Sequence, residues 1–387
     1  MAKRTDLPLT GLRIVEFAGI GPGPFAAMML ADMGADVVRV DRIDAQHDSQ
    51  DFLARGRRSI ALDLKHPAAV EVALKLIDRS DGLIEGFRPG VMERLGLGPD
   101  ICRARNSRLV YGRMTGWGQD GPLAQAAGHD LNYIALTGAL WVTGQEGGAP
   151  TFAANLLGDF GGGGMLLAFG MVAGLLQAAR SGEGDVVDAA ITDGTHALMS
   201  FIHARRASGR WTDARGANTL DGAAPWYGVY ACACGGWVSI AALEPRFWAE
   251  LLRLLHLDEA ELGDRADRAQ WPGIRAVLED TFKAKPRDHW VSLLEGTDAC
   301  FAPVLSPAEA ADHPHNVART AFAPKGPDQP MPAPRFGDKM ITPPEAPDIP
   351  GADSDAILAS LGMSAADIST LHNAGAVKAS SPKETAK

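Results

Sequence analysis

The chain has 387 residues and a mass of 40.8 kDa, room for two or three domains at about 100–200 residues each. Hydrophobic residues make up 46% and charged residues 22%, a globular composition that excludes disordered, fibrous and disulfide-miniprotein classes. The net charge of −10 and pI near 5.5 repel nucleic acid and anionic lipid, so neither is expected as a partner, and an anionic ligand needs a local basic pocket.

The elements run in a clear order. LRIVEFA (12–18) reads as a strand, Gly19-Ile-Gly-Pro-Gly-Pro24 as a turn with Pro24 at a first helical position, FAAMMLADMGA (25–35) as a helix and DVVRVDR (36–42) as a strand. This βαβ unit implies a parallel sheet. SIALDLK (59–65), GLIEGF (82–87) and LVYGRMTG (109–116) continue it as strands, with helices over 67–80 and 90–97 between them. A Gly-started helix is expected over 158–180, and GDVVDAAITDG (184–194) reads as one more strand, with Asp193 in a turn. The apolar run Met165 to Leu176 is shorter than the ~20 residues of a membrane span and reads as a buried helix packed closely through Gly170 and Gly174. Residues 226–245 alternate like a hairpin about Gly235-Gly236, and helices follow at 246–256, 270–284 and 287–296. Residues 322–351 are Pro-rich, and 355–377 form a helical pair with Ser364 and Asp367 arranged as a capping box. The last ten residues are a polar tail. The fold class is therefore α/β, with a Rossmann-like open parallel sheet in a large domain and a smaller α+β domain.

Several stretches can carry chemistry. The Gly19–Pro24 turn allows three readings: a tight turn, a turn lining a ligand cleft, or a nicotinamide site with Asp41 as its ribose acid. Arg42, Lys65 and Arg88 share strand C-termini, where open α/β sheets place ligands, and Arg94 lies close by; guanidinium forks suit phosphate. Arg55, Arg57, Arg58, Arg103, Arg105, Arg108 and Arg113 widen the basic set. His129, in GHDLNY, is either a proton carrier near neutral pH or a surface histidine. Asp159 precedes Gly161–Gly164. The glycines either leave amides open to a developing oxyanion or serve helix packing behind an N-cap aspartate. Glu244 is placed to cap the helix after the hairpin. His313 and His315 with Asp312 lack an evident further ligand, so no metal is expected. Four scattered cysteines read as reduced thiols. The start MAKRTDLPLTG has no apolar signal region and the end ETAK is no peroxisomal signal, so the cytoplasm is expected.

Taken together, GLRIVEFAGIGPGPFAAMMLADMGADVVRVDR, LDLK, GFRPGVMERLGLGP, RMTGWGQDGP, GHDLNY, NLLGDFGGGGM, LDGAAPWY and LGMSAADI resemble the α-methylacyl-CoA racemases of the family III CoA-transferase group. The resemblance spans nearly the whole chain; GADSD replaces a His-Thr pair common in the family. It implies a large CoA-binding domain over 1–190 completed by 325–387, a linker over 191–224, a small α+β domain over 225–310 and a return linker over 311–350. It further implies an interlocked homodimer whose active site lies between the large domain of one subunit and the small domain of the other. His129 and Asp159 would be the proton carriers and Glu244 a supporting residue. Arg42, Leu62, Asp63, Leu64, Lys65, Gly86, Phe87, Arg88, Arg94 and the loop Gly128, His129, Asp130, Leu131, Asn132 and Tyr133 would hold CoA. The implied reaction inverts C2 of a 2-methylacyl-CoA through an enolate, without metal or redox cofactor, CoA being part of the substrate. The alternatives are a family III CoA-transferase with Asp159 as nucleophile and an acyl-CoA binder without chemistry.

Overall fold

The computed structural model describes residues 7–46, 48, 51–324, 326–337, 341–345 and 349–378. The chain divides into two compact units, one of Met1–Thr137, Ala153–Met199 and Phe322–Lys387, the other of Gly138–Phe152 and Ser200–Ala321. Segment 138–152, expected in the large domain, therefore clusters with the second unit.

The first unit is built on a six-stranded parallel sheet in the order β3-β2-β1-β4-β5-β6. Its elements are β1 (Arg13–Phe17), α1 (Pro22–Asp32), β2 (Asp36–Arg42), β3 (Arg57–Leu62), α2 (Pro67–Ile77), β4 (Gly82–Glu85), α3 (Val91–Arg94), α4 (Pro99–Arg105), β5 (Val110–Thr115), α5 (Asp130–Leu136), a π-helix (Leu156–Met165), α6 (Leu166–Ser181), β6 (Val186–Ala190) and α7 (Ile191–Leu198). The strands are apolar on both faces because helices cover both. One core joins Val15, Val38, Ile60 and Leu83 to α2, and the other joins Ile14, Val37 and Val110 to α1 and α6. The strand order reverses between β1 and β4, which opens a crevice beyond their carboxyl ends.

Local structure departs from the expected pattern at several points. Helix α1 starts at Pro22, not after Pro24, because Gly21 at φ 67° turns the chain into it. Asp193 lies in the first turn of α7, not in a turn, because β6 ends at Ala190. The glycine helix starts before its glycines, as a π-helix whose ring closes from the Phe160 N–H to the Asn155 carbonyl. Gly170 and Gly174 do allow close packing: a Cβ there would meet Val187 and Val110 at 2.6 and 2.7 Å. The continuous helical run Leu156–Ser181 is long and apolar enough, by length and composition, to cross a membrane. It is buried on one face only, through Leu167, Met171 and Leu175, and leaves Phe169, Val172 and Leu176 exposed.

The C-terminal helices α15 (Ser354–Ser360) and α16 (Ala365–Asn373) also belong to the first unit, and Ser364 and Asp367 close the expected capping box. Beyond them, Val377 bridges Leu62 at the β3 edge. The polar tail from residue 379 lies outside the described residues. The second unit contains α8 (Ser200–Ala207), the hairpin β7 (Tyr227–Ala231) and β8 (Trp237–Ala241), α9 (Pro245–Leu255), α10 (Glu259–Leu262), α11 (Trp271–Lys283), α12 (Arg287–Leu294), β9 (Phe301–Val304), α13 (Pro307–Asp312) and α14 (Pro314–Ala318). Its antiparallel sheet runs β7-β8-β9 around a core of Tyr230, Trp248, Leu278 and Phe282.

Candidate functional site

The switch point holds a cleft of about 580 Å³. The walls rise at strand carboxyl ends: Gly19–Gly21 and the first turn of α1 after β1, the loop Gly86–Pro89 after β4, and Gly116 and Trp117 after β5. His129, Tyr133, Asn155, Asp159 and Ile191 close it. A larger hollow of about 1320 Å³ lies in the second unit, but none of the residues expected to act lines it.

His129 precedes α5 in extended backbone, and its N–H donates to Asn132 Oδ1 at 3.1 Å. The α5 start therefore holds the histidine while its ring stays exposed to the cleft. Tyr133, one turn on, donates its hydroxyl to the Gly128 carbonyl and meets Trp117 edge-on, with ring centroids 4.7 Å apart. Gly128 thus stays fixed one residue before the histidine.

Asp159 projects from the first turns of the π-helix. Burial pushes its carboxyl above the usual carboxylate range. A hydrogen bond from Asn155 Nδ2, at 3.2 Å to Oδ2, opposes this, as does the charge of His129, whereas the Asp130 charge adds to it. Gly21 faces the same carboxyl: a Cβ there would lie 3.3 Å from Asp159 Oδ2, and its φ of 67° already disfavours a side chain.

The four glycines do not form the amide cluster the sequence suggested. Helix begins at Leu156, so Gly161–Gly164 lie inside it, and none of them lines the cleft. Their smallness serves packing: a Cβ on Gly162 would lie 2.4 Å from Thr195 Oγ1.

The cleft brings together Gly86, Phe87, Arg88, Gly128, His129, Tyr133 and Asp159. Arg42 and Leu62 pair across β2 and β3 at the same sheet edge, followed by Asp63, Leu64 and Lys65, but these residues do not line the cleft. Neither does Arg94, which is exposed at the end of α3. Arg42 is well exposed and grips Asp44 at 2.8 Å. The Leu62 side chain is core, the Asp130 side chain is buried, and Leu131 is partly exposed. Asn132 spends its side chain on the His129 backbone. Any ligand contact at Leu62 or Asp130 thus falls to backbone. Glu244 is exposed in the second unit at the N-cap of α9, without a side-chain capping bond.

Other candidates are consumed structurally. Asp41 is buried against Ser59 and Arg39, so no ribose acid is available there. Arg55 pairs with Asp32, Arg57 with Glu16, Arg58 with Asp36, Arg105 with Asp78, and Arg113 with Glu85 and Glu93. His313 pairs with Glu295 at 2.8 Å, and no group of three metal-ligating side chains occurs among the described residues. The four cysteines are unpaired. The lining residues that sequence reasoning gave no role include Phe17, Ile84, Met114, Thr115, Trp117 and Ile191; the strand-end rule would have found Thr115 and Trp117.

Residues 9–353 match the model of CoA-transferase family III. The chain is 42% identical to mouse alpha-methylacyl-CoA racemase over 94% of this chain and 96% of that protein. It is 43% identical to the human alpha-methylacyl-CoA racemase over 82% of each. Among solved structures, a CAIB/BAIF family protein from Brucella suis superposes with a TM-score of 0.79 at 26% identity, covering 92% of this chain and 99% of the other. The cleft at the switch point, with its histidine and its buried carboxyl, is thus the cleft of a chain that belongs to CoA-transferase family III.

Proposed function

We propose that this chain is an α-methylacyl-CoA racemase, inverting C2 of 2-methylacyl-CoA thioesters by 1,1-proton transfer. The observation that carries the reading is that a histidine and a carboxyl raised by burial line one cleft. One of them takes the C2 proton, leaving a planar enolate with its charge on the thioester oxygen. The other returns a proton to the opposite face, and the first keeps the proton it took. A lone base tends to restore the original hand. Burial shifts the Asp159 carboxyl toward its protonated form, the direction a proton donor needs, and an imidazole serves as its partner base. Arg88 at the cleft, with Arg42 and Lys65 along the same sheet edge, supplies positive charge for the CoA phosphates. Binding there, away from C2, helps to position the reacting carbon.

A homodimer in which the second copy supplies Glu244 belongs to the same proposal, as does a reducing, cytoplasmic location that suits four unpaired thiols. CoA enters as part of the substrate.

The test is a single epimer of a 2-methylacyl-CoA incubated in heavy water. Deuterium at C2 with loss of optical purity is expected. Acyl exchange onto an added carboxylic acid, without C2 deuteration, would replace this reading by a CoA-transferase with Asp159 as nucleophile. His129→Ala and Asp159→Ala should each lower C2 exchange by at least about 10²–10⁴-fold while CoA still binds.

A further inference from the structure

Asp130 follows the histidine directly, yet its side chain leaves the cleft and is 6% exposed. Its Oδ1 accepts the backbone N–H of Asp159 at 2.7 Å. One carboxylate therefore ties the start of α5, which carries His129, to the π-helix turn that carries Asp159. Gly158 makes room for this: a Cβ there would lie 2.5 Å from Asp130 Oδ1. The second oxygen, Oδ2, is buried and has no hydrogen-bond partner among the described residues. A buried carboxylate oxygen without a donor costs free energy. The Asp130 charge raises the Asp159 carboxyl.

We propose that Asp130 is a positioning residue for Asp159: Oδ1 fixes the backbone from which Asp159 projects, and the uncompensated second oxygen opposes loss of the Asp159 proton. The proposal rests on reading Asp159 as a proton carrier. The groups facing that carboxyl define the balance. From α5 they are Asp130, His129 and, through its phenol, Tyr133; from its own helix, Asn155; from α1, the uncharged Gly21. Burial and the Asp130 charge raise the carboxyl, while Asn155 and His129 lower it.

The test is Asp130→Asn in the full-length protein. The amide oxygen can still accept the Asp159 N–H, so only the charge is lost. Asp159 is titrated by carbon-13 NMR with aspartate labelled at the carboxyl carbon, its signal identified by its absence from Asp159→Asn. C2 exchange is followed against pH in parallel. The expected result is an Asp159 titration moved to lower pH, with the exchange limb it governs moved the same way. Near neutral pH, kcat should fall roughly tenfold with KM within about twofold. Asp130→Ala, which also loses the acceptor, should lower kcat roughly a hundredfold. Asp130→Ser reads the same titration should the asparagine variant fold poorly. An unmoved Asp159 titration overturns the proposal. So does a raised KM with kcat intact, which marks Asp130 as a substrate contact. Wild-type protein without C2 exchange would instead remove the racemase reading, and the titration comparison would still decide what Asp130 does to Asp159.

Discussion

Two sets of cations on the parallel sheet are treated in opposite ways, those at the start of β3 and those at or just beyond the ends of β2, β3 and β4. At the amino end of β3, Arg57 is buried on Glu16 at 2.9 Å and Arg58 is paired with Asp36, while Arg55 just before the strand is buried on Asp32 at 2.6 Å. At the carboxyl ends, Arg42, Lys65 and Arg88 are exposed, and Arg88 lines the cleft. Composition cannot separate these groups, because each is a cation next to a strand. Strand polarity does: in a parallel sheet every carboxyl end opens on the ligand side, and a cation at the amino end must find an acid or stay out of the core.

The sharpest way to break this contrast is Arg57→Met. Its guanidinium holds Glu16 and the carbonyls of Arg55 and Pro24. Removing it leaves Glu16 buried and unpaired, a loss of about 3–5 kcal/mol, to be read as a lower denaturant midpoint. The double variant Glu16→Leu with Arg57→Met should recover most of that loss. Recovery to no more than the single variant would show that the carbonyl contacts, not the charge pair, dominate.

The contrast also explains what the sequence made legible. All six parallel strands were readable, because strands covered on both faces run apolar, and the helices between them keep an amphipathic period. The π-helix was not. Four glycines after an aspartate look like a cap, and a change of helical period leaves no pattern in so short a run. Strand β9 has no such signal, because Pro303 argues against a strand; at the sheet edge, where β9 pairs with β8 alone among the described residues, proline is tolerated. At the site, His129 and Asp159 stood out by residue type and motif. Ile191 comes from helix-end geometry, which has no periodicity to read.

A buried acid at the carboxyl end of β4 tests the contrast through pH. Glu85 ends β4; it accepts the Phe87 N–H at 2.8 Å, at the cleft wall, and pairs with Arg113 at 3.2 Å. Burial pushes it up to about 7, against the Phe87 hydrogen bond and the Arg113 charge. A raised folded value means that the native state binds the extra proton between about 4.5, the ordinary value, and about 7. The Glu85 contribution to stability is thus fully present below pH 4.5 and is lost as pH rises through 7. Glu85→Gln should flatten that part of the profile, measured as thermal midpoints across the same range. An unchanged slope would show that the Arg113 pair holds the carboxylate ionised throughout.

The smallest effects belong at the carboxyl ends, where substitution should change binding and not folding. Arg88→Ala removes a cation from the cleft wall, and KM for the acyl-CoA should rise about tenfold, the worth of one charge-assisted contact, with the thermal midpoint unchanged. Arg42→Ala should do less. Its side chain is 82% exposed and its guanidinium already shared with Asp44, so solvent and that carboxylate screen it from a phosphate. A rise of about two- to threefold in KM, fading as salt increases, is expected. If Arg42→Ala instead matched Arg88→Ala and the effect survived high salt, the CoA phosphates would lie along the β2–β3 edge and not over the β4 loop, and Arg42 would have to release Asp44 to hold them.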